Sequence, residues 1–189
     1  EMLSDSLIDL YRAGVVTNAA KTLHKDKMVT AFSFGSKAAY DFLDNNPNVL
    51  HLDVGYTNDP AVIRQNRKMV SVNTTLQVDL TGQCASESIG TLQLSGTGGQ
   101  TETASGARQS EGGKSIIALH STANVKNADG ERERVSTIVP TQPAGMAISL
   151  MRADVDFVVT EYGVASLRGA SVRDRAMELI SIAHPDYRD

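Results

Sequence analysis

The chain has 189 residues, of which 41% are hydrophobic and 21% charged, so it is long and apolar enough to bury the core of one globular domain. Its formal net charge of −4 argues against a protein that binds nucleic acid or an anionic membrane, since both partners need a concentrated basic surface. No apolar run approaches the roughly 20 residues that span a bilayer. The single cysteine, Cys84, excludes a disulfide within the chain, and we therefore expect a cytoplasmic protein.

The first half of the chain predicts helices that alternate with strands. Apolar, β-branched runs predict strands over residues 28–34, 49–54 and 69–80. The last run predicts either one long strand or two strands with a kink at Asn73. Apolar residues at helical spacing predict a helix over residues 3–13. Ser36 and the Asp59-Pro60 pair are typical of helix starts.

The second half is rich in glycine and has shorter predicted elements. The sequence KNADG, residues 126–130, lies between two β-branched runs, and its Asp-Gly pair favours a hairpin turn. A short buried strand is predicted over residues 156–159. Ser171 and Asp174 have the spacing of a capping box at a helix start. The whole chain, residues 1–189, therefore predicts one α/β domain with a mixed, partly parallel sheet flanked by helices.

The glycine-rich stretch SGTGGQ, residues 95–100, is the first candidate binding element. Backbone N–H groups approach a ligand closely where side chains are absent, and a following helix N-terminus adds partial positive charge. Such a loop suits a phosphate, a carboxylate or a developing oxyanion. The alternative is a flexible surface loop, because the stretch matches neither a P-loop nor a dinucleotide-binding motif.

Three isolated polar residues are candidates for contact with a substrate. Glu161 follows the apolar strand directly, and ligands bind at the carboxyl ends of strands in open α/β sheets. A half-buried carboxyl group there can have a raised pKa and hydrogen-bond a substrate, whereas the alternative is a solvated glutamate in a turn. Asn73 and Glu87 interrupt apolar segments and require partners, either in the protein or on a ligand.

Metal and thiol chemistry have little support in the sequence. The four histidines are scattered without metal-ligand spacing, so we predict no metal site. Ser86 has no Gly-x-Ser-x-Gly context, and Cys84 is better explained as a buried thiol than as a nucleophile.

Six segments, in order along the chain, resemble the acetyl-CoA hydrolase/transferase family. They are MVSVNTTLQVDLTGQCASESIG, SGTGGQ, GGKSIIALHSTA, STIVP, DVDFVVTEYGVASLRG and RDRAMELISIAHPDYRD. The likeness is to 4-hydroxybutyrate and butyryl- or propionyl-CoA:acetate CoA-transferases, and it covers essentially all residues. It implies a CoA-transferase domain of the NagB/RpiA-like fold.

The resemblance also implies a role for Glu1. In the family, the glutamate of a His-Thr-Glu-Met segment is the catalytic nucleophile, and this chain begins Glu-Met. We therefore expect residues 1–189 to be the C-terminal domain of a longer enzyme whose N-terminal half lies outside this sequence. A short tail beyond Asp189 is also expected.

The implied reaction transfers CoA from a short-chain acyl-CoA to a carboxylate such as acetate, with ping-pong kinetics through a glutamyl-CoA thioester on Glu1. Asn73 and Glu161 match positions that line the substrate pocket, where Glu161 would be protonated or paired. The resemblance assigns CoA contacts to a glycine loop, here Gly96, Gly98 and Gly99. Coenzyme A is a substrate and covalent intermediate, no cofactor is permanently bound, and a homo-oligomer is expected.

Three functions stay open at this point. The first is a CoA-transferase, and the second is an acyl-CoA hydrolase in which water intercepts the thioester. The third is a non-catalytic CoA-binding or assembly domain. Glu102 and Thr103 replace an Asp-aromatic pair found in many relatives, so the acyl preference is also open.

Overall fold

The structure, a computed structural model, describes residues 1–126 and 130–189. The strands in these residues are β1 (Met2–Leu3), β2 (Met28–Thr30), β3 (Phe32–Ser33), β4 (Val49–His51), β5 (Val70–Thr74), β6 (Gln77–Asp79), β7 (Cys84–Ala85), β8 (Ser88–Ile89), β9 (Leu92–Gln93), β10 (Lys114–Ala118), β11 (Thr122–Lys126), β12 (Arg132–Ser136), β13 (Ile138–Val139), β14 (Phe157–Thr160) and β15 (Gly163–Ser166). The α-helices are α1 (Asp5–Arg12), α2 (Lys37–Leu43), α3 (Val54–Thr57), α4 (Pro60–Ile63), α5 (Gln100–Gln109) and α6 (Val172–Ser181). Short 3₁₀ helices cover Arg152–Asp154 and Pro185–Tyr187. None of the helices in the described ranges is long and apolar enough to cross a membrane.

The largest sheet has the strand order β15-β14-β10-β5. Strands β5, β10 and β14 are parallel, and β15 returns antiparallel to β14. Asn73 on β5 pairs with Ile117 on β10, which pairs with Val158 on β14. Because the three strands run in one direction, the residues that follow each of them lie at one edge of the sheet.

Smaller sheets surround the largest one. Strands β13, β6 and β7 form a three-stranded sheet, and the remaining strands pair as β1-β3, β2-β4, β8-β9 and β11-β12. The β1-β3 and β2-β4 pairs are parallel. The predicted α/β architecture with a partly parallel sheet is therefore confirmed.

Two clusters of buried apolar side chains form the core. The larger cluster joins the sheets to α5 and α6, and its members include Val78, Ile117, Leu150, Val158, Leu167 and Leu179. The smaller cluster lies around β1, β2, α1 and α2, and consists of Leu3, Ile8, Met28, Ala39 and Val49. Each fully buried Leu or Ile contributes roughly 1.5–3 kcal/mol to stability. The second cluster therefore fixes the part of the chain that carries Glu1.

The predicted strand over residues 28–34 is two strands with different partners. Strand β2 pairs with β4, whereas β3 pairs with β1. The change occurs at Ala31, whose N–H donates to the carbonyl oxygen of Glu1 at 2.7 Å. The hydroxyl of Thr30 donates to the same oxygen at 2.8 Å.

The predicted run over residues 69–80 is also two strands, but the break does not lie at Asn73. It lies at Thr75 and Leu76, where the chain leaves the sheet of β10 and joins the sheet of β13. The Thr75 hydroxyl holds this corner by donating to the carbonyl oxygens of Gln77 and Ala85, at 3.0 and 2.8 Å.

The predicted helix starts are confirmed. The Ser36 hydroxyl accepts from the N–H of Ala39, and the Asp59 carboxylate accepts from the N–H of Ala61 at 2.8 Å. Ser171 accepts from the N–H of Asp174 at 3.2 Å. Strands β11 and β12 pair antiparallel as predicted, while the turn residues 127–129 lie outside the described residues.

Candidate active site

The backbone of Glu1 is held in place by hydrogen bonds to its carbonyl oxygen. Its carbonyl oxygen accepts from Thr30, Ala31 and Phe32, the last at 3.3 Å. Met2 then pairs with Phe32 in the parallel β1-β3 ladder. The residue is therefore fixed by β-sheet hydrogen bonds at a sheet edge.

The Glu1 carboxylate contacts two residues distant in sequence. Its Oε1 atom accepts from the side-chain amide of Asn58 at 2.7 Å. A Cβ atom at Gly99 would lie 2.5 Å from this Oε1 and 2.2 Å from Nδ2 of Asn58. Because real Cβ contacts do not occur at these distances, any larger residue at position 99 would displace the Glu1 or Asn58 side chain from its present position.

Local sequence explains why Asn58 lies there. Asp53 caps the short helix α3 by accepting from the N–H of Gly55 at 2.7 Å, and Asn58 is the residue that ends α3. Asp59 and Pro60 then start α4 at once. This helix–helix corner turns the Asn58 amide towards Glu1.

The glycine-rich stretch connects β9 to α5, as predicted. Gly98 has φ of +64°, a left-handed conformation that favours glycine. Gly99 precedes the ten-residue helix α5 and has no side chain with which to cap it. The first amide N–H groups of α5, which have no partner inside the helix, are therefore available to an anion near Glu1.

A groove of about 500 Å³ brings most of the predicted site residues together. We call it the glycine groove. Its lining includes the predicted residues Glu1, Asn73, Gly96, Gly98 and Gly99. A second cavity of about 490 Å³, the basic cavity, shares Glu1 with it and is lined by Lys21, His24, Arg67 and Lys68 among others. Glu1 thus lies where the two spaces meet.

Asn73 is tied to the start of α5. Its amide nitrogen donates to the hydroxyls of Ser71 at 2.8 Å and Thr103 at 3.1 Å. The Thr103 hydroxyl in turn donates to the carbonyl oxygen of Gly99 at 2.9 Å. Both amide protons of Asn73 are thereby used in the protein, and its carbonyl oxygen is the group left to accept from a ligand.

Glu161 lies outside both cavities, in the two-residue turn between β14 and β15. Its Oε1 accepts from the Ser121 hydroxyl at 2.6 Å, its Oε2 accepts from the Ser121 N–H at 3.0 Å, and His120 Nδ1 is 4.0 Å from Oε2. The Ser121 hydroxyl bond, with help from the Ser121 N–H and His120, lowers the pKa of Glu161. Of the alternatives left open for Glu161, the structure agrees with a paired, partly exposed carboxylate and not with a buried carboxyl group of raised pKa.

Glu161 nevertheless shares a sheet edge with the glycine groove. Asn73 and Thr74 end β5, Ser121 follows β10, and Glu161 follows β14. Neighbouring strands lie about 4.8 Å apart, so β14 is roughly 10 Å from β5. A substrate role for Glu161 stays a prediction.

The remaining candidates have structural partners. Glu87 is buried in the wall of the glycine groove and accepts from Ser149 at 2.9 Å and Gln93 at 3.2 Å. Ser86 donates to Gln100 Oε1 at 2.7 Å. Burial, together with the nearby Asp79 charge, raises the pKa of Cys84 to about 12, so the thiol stays protonated. Among residues 1–126 and 130–189, no group of three or more His, Cys, Asp or Glu residues is arranged to hold a metal ion.

Comparison with known proteins assigns the chain to a family. Residues 35–189 match the family described as "Acetyl-CoA hydrolase/transferase C-terminal domain". The chain belongs to this family. The predicted family membership is thereby confirmed.

Individual relatives match across the whole chain. It is 50% identical over 189 residues to the 4-hydroxybutyrate coenzyme A transferase of Clostridium kluyveri, and 47% identical over 188 residues to the succinyl-CoA:cyclohexane-1-carboxylate CoA transferase of Geobacter metallireducens. Both alignments cover all of this chain, which spans less than half the length of each relative, namely 42% and 41%. The crystal structure of RipA from Yersinia pestis superposes with a TM-score of 0.89 at 43% identity, covering the whole chain and 41% of RipA. The acetyl-CoA hydrolase of Kluyveromyces lactis is 30% identical over 191 residues, and the chain spans 33% of it.

Proposed function

We propose that residues 1–189 form the C-terminal domain of an acyl-CoA:carboxylate CoA-transferase in which Glu1 is the covalent nucleophile. One observation carries the proposal: the Glu1 carboxylate is held by Asn58 against Gly99, where two cavities meet beside the N-terminus of α5. Membership of the family and 41–50% identity to relatives named as CoA transferases support it.

The reaction exchanges one carboxylate for another. An oxygen of Glu1 attacks the acyl carbon of the acyl-CoA, the C–S bond breaks, and a mixed anhydride and a CoA thiolate result. The thiolate then attacks the Glu1 carbonyl carbon and releases the first carboxylate, which leaves a glutamyl-CoA thioester. The second carboxylate attacks this thioester, and the same steps run in reverse to give the new acyl-CoA and restore Glu1.

The surrounding residues serve this chemistry in two ways. Negative charge develops on the carbonyl oxygen at each addition, and preorganised donors that face this oxygen lower the barrier. The Asn58 amide donates to Glu1, and the first N–H groups of α5 follow Gly99, against which the Glu1 carboxylate lies. Gly96, Gly98 and Gly99 give CoA close access to the backbone, and the Asn73 carbonyl oxygen accepts from the ligand.

We assign Glu161 to the recognition of the carboxylate substrate. Its position at the carboxyl end of β14, on the same sheet edge as Asn73, supports this role. Because Ser121 lowers the pKa of Glu161 further below neutral pH, Glu161 acts as a paired carboxylate that orders donors around the substrate rather than as a proton donor.

Acyl-CoA hydrolysis is the second candidate function, since the family includes the 30% identical acetyl-CoA hydrolase. The higher identity to named transferases favours transfer. The two functions differ in whether CoA leaves the protein without an acceptor. A transferase is expected to release free CoA slowly from butyryl-CoA when no acceptor is present, and to form acetyl-CoA rapidly when acetate is added.

A cytoplasmic location and a homo-oligomeric assembly are part of the same proposal.

The test is an exchange assay on the complete polypeptide that the gene encodes. Butyryl-CoA and acetate are varied together, and parallel reciprocal plots are expected from ping-pong kinetics. Glu1→Gln should lower the exchange rate by at least about 1,000-fold, because it removes the nucleophile. Asp9→Asn makes the same carboxylate-to-amide change on the exposed face of α1 and should leave the rate unchanged. Exchange that survives Glu1→Gln would refute the proposal.

A further inference from the structure

The conspicuous AHPDYR sequence, residues 183–188, has no role in the proposed chemistry, yet its side chains contact the turn that carries Glu161. Tyr162 directly follows Glu161, and its ring lies between two of these side chains. The Arg188 guanidinium carbon lies 5.6 Å from the ring centroid, and the His184 ring meets it edge-on with 5.4 Å between centroids. Both geometries are within the range of attractive ring contacts.

On the other side of the turn, a side-chain hydroxyl bonds to Ile182, the residue that directly precedes this segment. The buried Thr160 hydroxyl donates to the carbonyl oxygen of Ile182 at 2.6 Å and accepts from the N–H of Tyr162 at 3.1 Å. Arg188 is itself held, because its Nε donates to the carbonyl oxygen of Ala183 at 2.9 Å. The residue after Glu161 therefore contacts the C-terminal segment itself, and the residue before Glu161 bonds to the residue that precedes the segment.

The segment also contacts the strand pair that supports Ser121. Asp186 forms an ion pair with Arg134 on β12, and the Tyr187 hydroxyl donates to the Arg134 carbonyl oxygen. Strand β12 pairs along its length with β11, which begins directly after Ser121. Beyond β12, the Thr137 N–H donates to the carbonyl oxygen of Ser121 at 3.1 Å.

We infer that residues 183–188 are a clamp that holds Glu161 in register with Ser121, and that His184 and Arg188 are positioning residues for the carboxylate-substrate site. The inference rests on the proposed function, which assigns Glu161 to that site. The Ser121–Glu161 pair joins two segments 40 residues apart, and its two short hydrogen bonds require both to be fixed. The β10–β14 pairing aligns the strands before the two residues, and the clamp contacts the Glu161 turn and the strand pair that follows Ser121.

The first test is Arg188→Ala in the complete polypeptide, with initial rates measured over both substrates. The KM for acetate should rise about threefold to fivefold, which corresponds to the loss of one cation–π contact. The KM for butyryl-CoA should change by less than about twofold, because the glycine groove is not contacted by the clamp. Arg173→Ala is the matched control, since Arg173 is an exposed arginine on α6 and no described residue pairs with it. Equal changes in both KM values, or none, would overturn the inference.

A second pair of variants separates the ring contact from helix capping. His184 accepts from the N–H of Asp186 at 3.2 Å and so caps the final 3₁₀ helix. Asparagine preserves a capping acceptor but removes the imidazole ring. His184→Asn should raise the KM for acetate as Arg188→Ala does, with little change in thermal stability. A wild-type KM in a folded His184→Asn protein would contradict a positioning role. Arg188→Lys, which keeps a cation for Tyr162, should restore part of the effect.

A double-mutant cycle tests whether the clamp acts through the Ser121–Glu161 pair. Ser121→Ala removes the hydroxyl bond to Glu161, so adding Arg188→Ala should then raise the KM for acetate by much less than it does alone. Independent, multiplicative effects would mean that the clamp is only structural. Glu161→Gln distinguishes a failure of the clamp inference from a failure of the proposed role of Glu161. If this variant leaves the KM for acetate unchanged, the assignment of Glu161 to the substrate site is wrong. If Glu161→Gln raises that KM and Arg188→Ala does not, only the clamp is wrong.

Discussion

Two carboxylates, Glu1 and Glu161, are held in opposite ways. Glu1 accepts one side-chain hydrogen bond, from Asn58, and opens onto two cavities. The Glu161 carboxylate accepts hydrogen bonds from both the hydroxyl and the N–H of Ser121. The C-terminal segment, residues 183–188, contacts the turn that carries Glu161. The backbone of Glu1, by contrast, is the more firmly hydrogen-bonded of the two, because its carbonyl oxygen accepts from three donors.

The difference follows from what each group has to do in the proposed reaction. A nucleophile needs a fixed position but lone pairs that are free to attack, so the restraint belongs on the backbone. A recognition group needs a fixed orientation and a stable charge, so the restraint belongs on the carboxylate itself. Variants that loosen each restraint should therefore affect different steps.

Among variants that keep the Glu1 carboxylate, the largest effect should come from filling the contact between Glu1 and the glycine groove. A methyl group in Gly99→Ala would overlap Oε1 of Glu1 and Nδ2 of Asn58. Because Gly99 does not have a positive φ, the substitution acts through this overlap and not through backbone strain. We expect roughly 100-fold lower kcat in the exchange assay, as for a nucleophile misplaced by about 1 Å.

Gly96→Ala separates this overlap from the contact of the loop with CoA. No atom lies within 4 Å of a Cβ at Gly96, so kcat for exchange should stay within about twofold of the wild type, and any loss should appear in the KM for butyryl-CoA. If both glycine variants keep wild-type rates, Glu1 does not react in the position that Asn58 and Gly99 define.

A smaller effect is expected when the Asn58 donor is removed. Asn58→Ala leaves Glu1 without its side-chain partner, and a hydrogen bond to a charged group contributes about 1.5–2 kcal/mol, or roughly 20-fold in rate. The loss should appear in kcat with either carboxylate substrate. Asn124→Ala, at an exposed position on β11 without a positive φ, serves as the control. A change confined to KM would indicate that Asn58 binds substrate rather than holding Glu1.

The smallest predicted effect concerns the ionisation of Glu161. Ser121→Ala removes the main cause of its lowered pKa, which should rise towards the ordinary glutamate value. The Ser121 bonds favour the charged form, so they stabilise the fold at neutral pH. That stabilisation is lost as the pH falls through the lowered pKa. An NMR titration of the Glu161 side-chain carbon in wild type and Ser121→Ala checks this, with Ser181→Ala as the control. Identical titrations would show that Ser121 does not hold the carboxylate.

The sequence predicts most of the residues that line the glycine groove, but not the hydrogen bonds between them. Glu1, Asn73 and the three glycines were identified from motifs and lie around one space. Asn58 was missed, although it precedes the correctly predicted Asp59-Pro60 helix start. Its contact with Glu1 spans 57 positions and depends on α3, a four-residue helix too short to show apolar periodicity. Contacts of this kind are set by tertiary packing.

The strand errors have a similar cause. Apolar, β-branched content predicts that residues 28–34 and 69–80 are extended, and they are. It does not indicate where a strand changes partner, because pairing depends on groups elsewhere in the chain. Ala31 and Thr75 lie at such changes, and the first is defined by the carbonyl oxygen of Glu1. The state of Glu161 stayed open in the sequence for the same reason, since its partner Ser121 lies 40 residues away.

The most direct test of the account is to trap the proposed thioester on Glu1. The complete polypeptide is incubated with butyryl-CoA in the absence of a second carboxylate, treated with borohydride to reduce the thioester, digested and analysed by mass spectrometry. The account predicts that the peptide containing Glu1 carries a reduced glutamyl side chain, and that Glu1→Gln abolishes this product. A wild-type protein that exchanges CoA while the Glu1 peptide stays unmodified, or a modification at another carboxylate, would contradict it.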